Sequence, residues 1–139
     1  MPNEFVGVLD RYIIHLKREN DNIEYKFYTN SSNTSINRQE EASSILSNYF
    51  QLSIKLTDLI SQWSKSDQRF ANNRIPLGIR VLAQDPLENL LSFICSSNNN
   101  VQRITKMIKS LCEQYGKEIG CFNEIIYHQF PTIGSIMKN

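Results

Sequence analysis

Cysteine is sparse in this sequence, and its three occurrences, Cys95, Cys112 and Cys121, are odd in number and form no CxxC. That pattern suggests neither a disulfide framework nor a zinc site, and it fits a reducing compartment. An excess of one charge is also lacking: 15 Lys and Arg stand against 14 Asp and Glu, a net charge of +1. A strongly basic domain would point to nucleic acid, whereas this balance argues neither for it nor against it. No run approaches the roughly 18 apolar residues of a membrane span. The polar, acidic start lacks the basic region of a secretory or transit peptide. The most informative shortage is local. The stretch FICSSNNNVQRITKMIKSLC (93–112) contains no Gly and no Pro, yet Ser96, Ser97, Asn98, Asn99 and Asn100 interrupt two segments that read as good helix. Linkers of this kind usually carry one of those two residues.

What is present is the composition of an ordinary globular chain: 139 residues, 40% hydrophobic and 21% charged, within the length of one domain. Residues 5–28 alternate as strands do. Tyr12, Ile14 and Leu16 share one face, and Ile23, Tyr25 and Phe27 share another. The charged KREND between them is a turn, so 11–17 and 22–28 are expected to be neighbouring antiparallel strands. TNSSNTSIN (29–37) reads as a tolerant polar loop. From Asn37 the period becomes helical. Asn37 with Glu40 resembles a capping box, and Ala42, Ile45, Leu46, Tyr49 and Phe50 line one face. Leu56, Leu59, Ile60 and Trp63 define a second helix, with Trp63 expected in the core and not as a ligand platform. LGIRVLAQ (77–84) is either a strand or an extended crossing. The first 82 residues thus read as mixed α and β, and the rest as all-helical.

Asp85, Pro86 and Glu88 form a helix start: a capping side chain, Pro at the first helical position and a carboxylate at the third. Leu87, Leu90, Leu91, Phe93, Ile94 and Cys95 spread over about 200° of that helix at 100° per residue, too wide for a surface helix. The expectation is a helix buried on most sides, delivering Ser96–Asn100 from a domain interior. The next helix, about 100–115, carries Val101, Ile104, Met107, Ile108, Leu111 and Cys112 on one arc, with Gly116 as its stop. Its N-terminus, with Asn side chains before it and Arg103 at the edge of the arc, suits a phosphate or a base edge. The plainer alternative is that the Asn residues cap the helix and Arg103 is a solvated charge.

DPLENLLSFICSSNNNVQRITKMIKSLCEQYG (85–116), followed by YHQFPTI (127–133), closely resembles the eukaryotic 8-oxoguanine DNA glycosylase family of the helix-hairpin-helix superfamily. Supporting matches lie in GVL (7–9), NYFQLSIKLTDLISQW (48–63) and GIRVLAQDP (78–86). The resemblance implies an α+β fold: a partial antiparallel sheet with packed helices in an N-terminal domain over 1–82, then the first helices of the catalytic domain over 83–139. It implies a bifunctional enzyme of base-excision repair that flips 8-oxoguanine out of the duplex, breaks its glycosidic bond and can nick the abasic strand by β-elimination. The implied partner is double-stranded DNA with 8-oxoguanine opposite cytosine. The implied location is nucleus or mitochondrion, the enzyme is a monomer, and no cofactor, metal or membrane is involved. By the same resemblance Asn98 and Arg103 read the orphaned cytosine, while Asn99, Asn100 and Lys106 contact the DNA backbone or shape the loop.

Departures from the family are equally plain. The GQSFRW-type segment that senses the oxidised base has no counterpart, and neither do the Gly-rich hairpin, the nucleophilic Lys or the assisting Asp. Lys106, Lys109, Lys117 and Lys138 do not match the nucleophile's context. The resemblance therefore implies an interior fragment, truncated at both ends and with no catalytic residue to name. Its alternative is an inactive product with at most weak damaged-DNA binding. His128, in the YHxFP turn, reads as structural, and Cys95 as a packing residue. Ser96 and Ser97 have no His–Asp partners for a triad and are expected to bond backbone. Lys106 and Lys109 suit either phosphate attraction or a solvated helix face.

Overall fold

The computed structural model describes residues 3–20, 22–29, 38–71 and 78–138. Its elements divide between two compact units, 35–85 and the remainder. In the larger unit, β1 (Glu4–Leu9), β2 (Tyr12–Glu19) and β3 (Asn22–Tyr28) form an antiparallel sheet in that order. The register sets Ile14 opposite Phe27 and Leu16 opposite Tyr25. Opposed residues point to the same side, so the two expected apolar sets form one face. Tyr12 and Tyr25 each meet Phe27 edge-on, with centroids 5.3 and 6.1 Å apart. The other face carries His15 and Tyr28, whose rings lie 5.7 and 4.8 Å from Phe122. Ile13 and Ile14, adjacent in β2 and pointing to opposite faces, are both buried.

Phe122 belongs to an element that the helical expectation for 83–139 missed. β4 (Glu118–Phe122) and β5 (Ile125–His128) pair antiparallel, which corrects that expectation. The loop is two residues, Asn123 and Glu124, with φ of 50° and 64°, as a tight hairpin turn requires. Asn-Gly is the usual signal there, and a Glu in the second position hides it. Buried Ile119 anchors β4, and the Gln129 N–H donates to the Lys117 carbonyl at 2.8 Å, continuing the pairing past His128. Gly116, at the end of the preceding helix, is required here by a close approach. A Cβ would collide with the carbonyl oxygens of Gln129 and Cys112.

In the same unit, α4 (Pro86–Ser96) and α5 (Val101–Tyr115) are joined by four residues, and α6 (Ile133–Met137) is capped by the Thr132 hydroxyl, which accepts from the Ser135 N–H. Leu87, Leu91 and Cys95 of α4 are half-buried. Leu90, Phe93 and Ile94 are not: they are 56%, 71% and 58% exposed. The expectation that α4 is buried on most sides is therefore corrected, because its neighbours in this chain cover only one side of the wide apolar arc. In the smaller unit, α1 (Arg38–Tyr49) buries Ala42 and Leu46, and α2 (Leu56–Ser66) and α3 (Gln68–Ala71) follow. Trp63 is 42% exposed and lies beside Phe70, so it is not the core residue expected. Residues 79–85 form neither helix nor strand. They are tied to the end of α1 by the Ala83 N–H on the Tyr49 carbonyl, and to the turn after it by the Arg80 guanidinium on the Gln51 and Ile54 carbonyls at 2.9 and 2.8 Å. The polar loop beyond Thr29 and the Asn37 cap lie outside the described residues.

The exposed face of α4 generates one prediction. Each large apolar side chain left in water forgoes about 1.5–3 kcal/mol of burial. The 139-residue chain should therefore bind a hydrophobic dye and self-associate, and Phe93→Glu should reduce both. A monomer without dye binding, melting sharply, is the contrary result. A second concerns Cys112, whose thiol is pushed up to about 11 by partial burial first, then by Glu88 and Glu113. A thiol held above its ordinary value of 9.0 favours the folded state fully at lower pH. That contribution is lost as pH rises from 9.0 through about 11. At neutral pH, exposed Cys121 should be alkylated well before Cys112, as mass spectrometry of timed samples would read; equal rates would contradict it.

Candidate nucleic-acid interface

The junction between α4 and α5 brings the sequence-predicted residues together, and its hydrogen bonds sort them. At the end of α4 the Ser96 hydroxyl donates to the Phe93 carbonyl at 2.6 Å, the backbone bond expected of it. The Ser97 N–H reaches the Ile94 carbonyl at 3.3 Å. Asn98 follows in the left-handed region, with φ 49°. Helices commonly end through one residue of this conformation, usually Gly and sometimes Asn, because other side chains are strained there. That accounts for a junction with no glycine in it.

Asn99 is committed entirely to the fold. Its Nδ2 donates to the Cys95 carbonyl at 3.0 Å and contacts Met107 Sδ at 3.3 Å, while its Oδ1 accepts from the Asn100 N–H at 2.9 Å. Asn100 is the N-cap of α5: extended, with its Oδ1 accepting from the Arg103 N–H at 3.1 Å and its own carbonyl from the Ile104 N–H. Both side chains therefore bond within the loop and its flanking helices. The capping alternative is right for Asn100, and it does not extend to Asn98.

Asn98 and Arg103 are exposed. Among the described residues, the side chain of neither makes a hydrogen bond or an ion pair. Lys106 is exposed on α5, one turn beyond Arg103, and Lys109 lies 3.6 Å from Glu113. Val101, placed by periodicity on the apolar arc, is instead 77% exposed beside the same surface. The arrangement offers an amide, a guanidinium and an ammonium around a helix N-terminus, a donor-rich set suited to a base edge with phosphates nearby. His128 faces Glu118 across the β4–β5 ladder and takes no part. Sequence reasoning missed Met107 as a partner of Asn99; a Met on an apolar arc gives no sign of that contact. It also missed the left-handed turn at Asn98. The signal for that turn was on the page: an Asn just past a helix end where no Gly is available.

A profile described as "8-oxoguanine DNA glycosylase, N-terminal domain" matches residues 1–90. The chain is 40% identical over 131 residues to the N-glycosylase/DNA lyase of Saccharomyces cerevisiae, covering 91% of this chain and 33% of that protein. It is 33% identical over 138 residues to the corresponding enzyme of Arabidopsis thaliana, covering 97% and 36%. Among solved structures, it resembles the Clostridium acetobutylicum 8-oxoguanine glycosylase/lyase in complex with double-stranded DNA containing cytosine opposite 8-oxoG. The TM-score is 0.74 at 26% identity, over 95% of this chain and 42% of that one. The chain spans about a third of the length of the curated relatives it matches. The profile match over most of its length settles its membership: the chain belongs to the 8-oxoguanine DNA glycosylase family.

Proposed function

We propose that this chain forms part of a base-excision repair enzyme acting on 8-oxoguanine opposite cytosine, and that Asn98 and Arg103 read the cytosine left unpaired when the lesion leaves the duplex. The observation that carries the reading is the contrast inside the junction. Ser96, Asn99 and Asn100 spend their side chains on the fold, and Asn98 and Arg103 do not. Cytosine presents acceptors at O2 and N3 and a donor at N4, so an Asn amide and Arg donors complement its edge. Lys106 adds attraction for phosphate. In the whole enzyme the first 82 residues belong to the N-terminal domain and 83–139 open the helical one, and the enzyme works as a monomer in the nucleus or mitochondrion.

The chemistry is assigned to residues outside this set. The family's nucleophilic Lys and assisting Asp match nothing in the 139 residues, and the junction supplies recognition alone. Purified as it stands, the chain should neither excise 8-oxoguanine nor be trapped on lesion duplex by borohydride, which captures the Schiff base of a reacting amine. A trapped complex would place the nucleophile among these residues.

The reading itself is tested by grafting 86–115 into the complete S. cerevisiae relative and making Asn98→Gly and Arg103→Ala there. Glycine is the informative substitution at 98, since it accepts the left-handed backbone and removes only the amide. A wrong base leaves buried donors unpaired at about 1–3 kcal/mol per contact. Losing the donors removes that penalty, so the preference for cytosine over the other three bases should fall roughly 5- to 150-fold. The salt dependence of binding should drop by at most about one phosphate's worth for Arg103→Ala and stay unchanged for Asn98→Gly. Equal weakening on all four duplexes would make the junction a positioning cap and end this reading.

A further inference from the structure

Asn98 cannot hold its conformation through its own side chain, which makes no hydrogen bond among the described residues. What surrounds it does. On one side the Ser97 N–H is held by the Ile94 carbonyl; on the other, Asn99 is fixed at three points. Both amide hydrogens of Asn99 are engaged, one by the last turn of α4 and one by Met107 in the second turn of α5. Its oxygen takes the N–H of the N-cap Asn100. A single side chain thus ties the end of one helix, the start of the next and a residue inside the next together, and the chain between Cys95 and Asn100 is left one geometry, with φ of Asn98 at 49°.

We propose that Asn99 is a positioning residue for base recognition: its amide, spanning Cys95, Asn100 and Met107, holds Asn98 in the left-handed turn that keeps the Asn98 side chain free for a partner. This rests on the reading of Asn98 as a cytosine contact. Asn99 itself touches no DNA and acts through Asn98. Its exchange for Asp, nearly isosteric, keeps the acceptor for the Asn100 N–H but sets an oxygen against the Cys95 carbonyl in place of a donor. Asn99→Leu removes every polar contact while filling the space.

The test uses the complete S. cerevisiae relative carrying residues 86–115 of this chain, with both Asn99 variants alone and combined with Asn98→Gly. Two quantities are read: the three-bond HN–Hα coupling of residue 98, taken with its intraresidue HN–Hα Overhauser effect so that positive and negative φ are told apart, and the preference for cytosine across the four opposite bases. In each Asn99 variant the coupling should depart from its left-handed value, and the cytosine preference should fall roughly 5- to 20-fold, about the effect of one misplaced hydrogen-bonding contact. In the Asn98→Gly background the Asn99 variants should cause no further fall, because a residue acting through another has nothing left to position. An equal further fall in that background would mean that Asn99 contacts DNA itself and would overturn the proposal, as would a left-handed residue 98 in both Asn99 variants. If Asn98→Gly alone leaves the preference intact, the cytosine reading fails, and the coupling still decides whether Asn99 holds the turn.

Discussion

Between Ser96 and Val101 the chain must end one helix and begin another, and every helix end leaves backbone groups without intrahelical partners. Glycine could terminate α4 in the left-handed conformation at no steric cost, but it would bring no polar group to the surface. Asparagine is the common alternative, and its amide comes with the turn. With Asn98 in that position the turn and a free amide occupy the same residue. The orphan groups on either side then have to be satisfied by others, and they are: Ser96 bonds the Phe93 carbonyl, Asn99 the Cys95 carbonyl and the Asn100 N–H, and Asn100 the Arg103 N–H. Four of the five side chains in the run are used in this way: three satisfy backbone groups of the two helix ends and one amide stays free.

The same substitution of Asx for Gly recurs through the fold. Asp10, Asn20 and Asn123 adopt positive φ in the turns of three hairpins, in a sequence with five glycines in all. Short polar side chains tolerate that region better than most. This preference decided which elements could be read from the sequence. The β2–β3 pair announced itself because both strands alternate over seven or more residues around a charged turn. β4 and β5 are five and four residues long, and their turn is Asn-Glu. A reader looking for Asn-Gly, or for six alternating residues, finds neither and extends the helical region through them.

Helix boundaries were legible for a different reason: they are written in local chemistry. Pro86 at the first position of α4 and Asn100 as the cap of α5 need only their immediate neighbours to be effective, whereas Gly116 at its end also answers to the distant Gln129 carbonyl. Burial is not local in that sense. The width of the apolar arc on α4 says how much surface the helix has to hide, and nothing in a single segment says what hides it. Leu90, Phe93 and Ile94 remain exposed here, in a chain that spans about a third of its relatives' length. Trp63 is the same case at smaller scale, since periodicity put it on the apolar side of α2 and only the packing could show how little covers that side.

For the candidate interface, the sequence marked a run of five polar residues and could not divide them. Three consecutive asparagines are chemically identical, and the helical arc does not continue through the junction, so periodicity assigns them no direction. The division comes from backbone conformation. A left-handed residue at 98 ends α4, an extended residue at 100 starts α5, and the side chain between them is drawn back onto both helices. Identical residues thereby acquire different tasks: one free amide, one that fastens, one that caps. Changing the order of these conformations would exchange the tasks without changing a letter of the sequence, which is why the α4–α5 register, and not the count of polar residues, determines which side chain is left free at this surface.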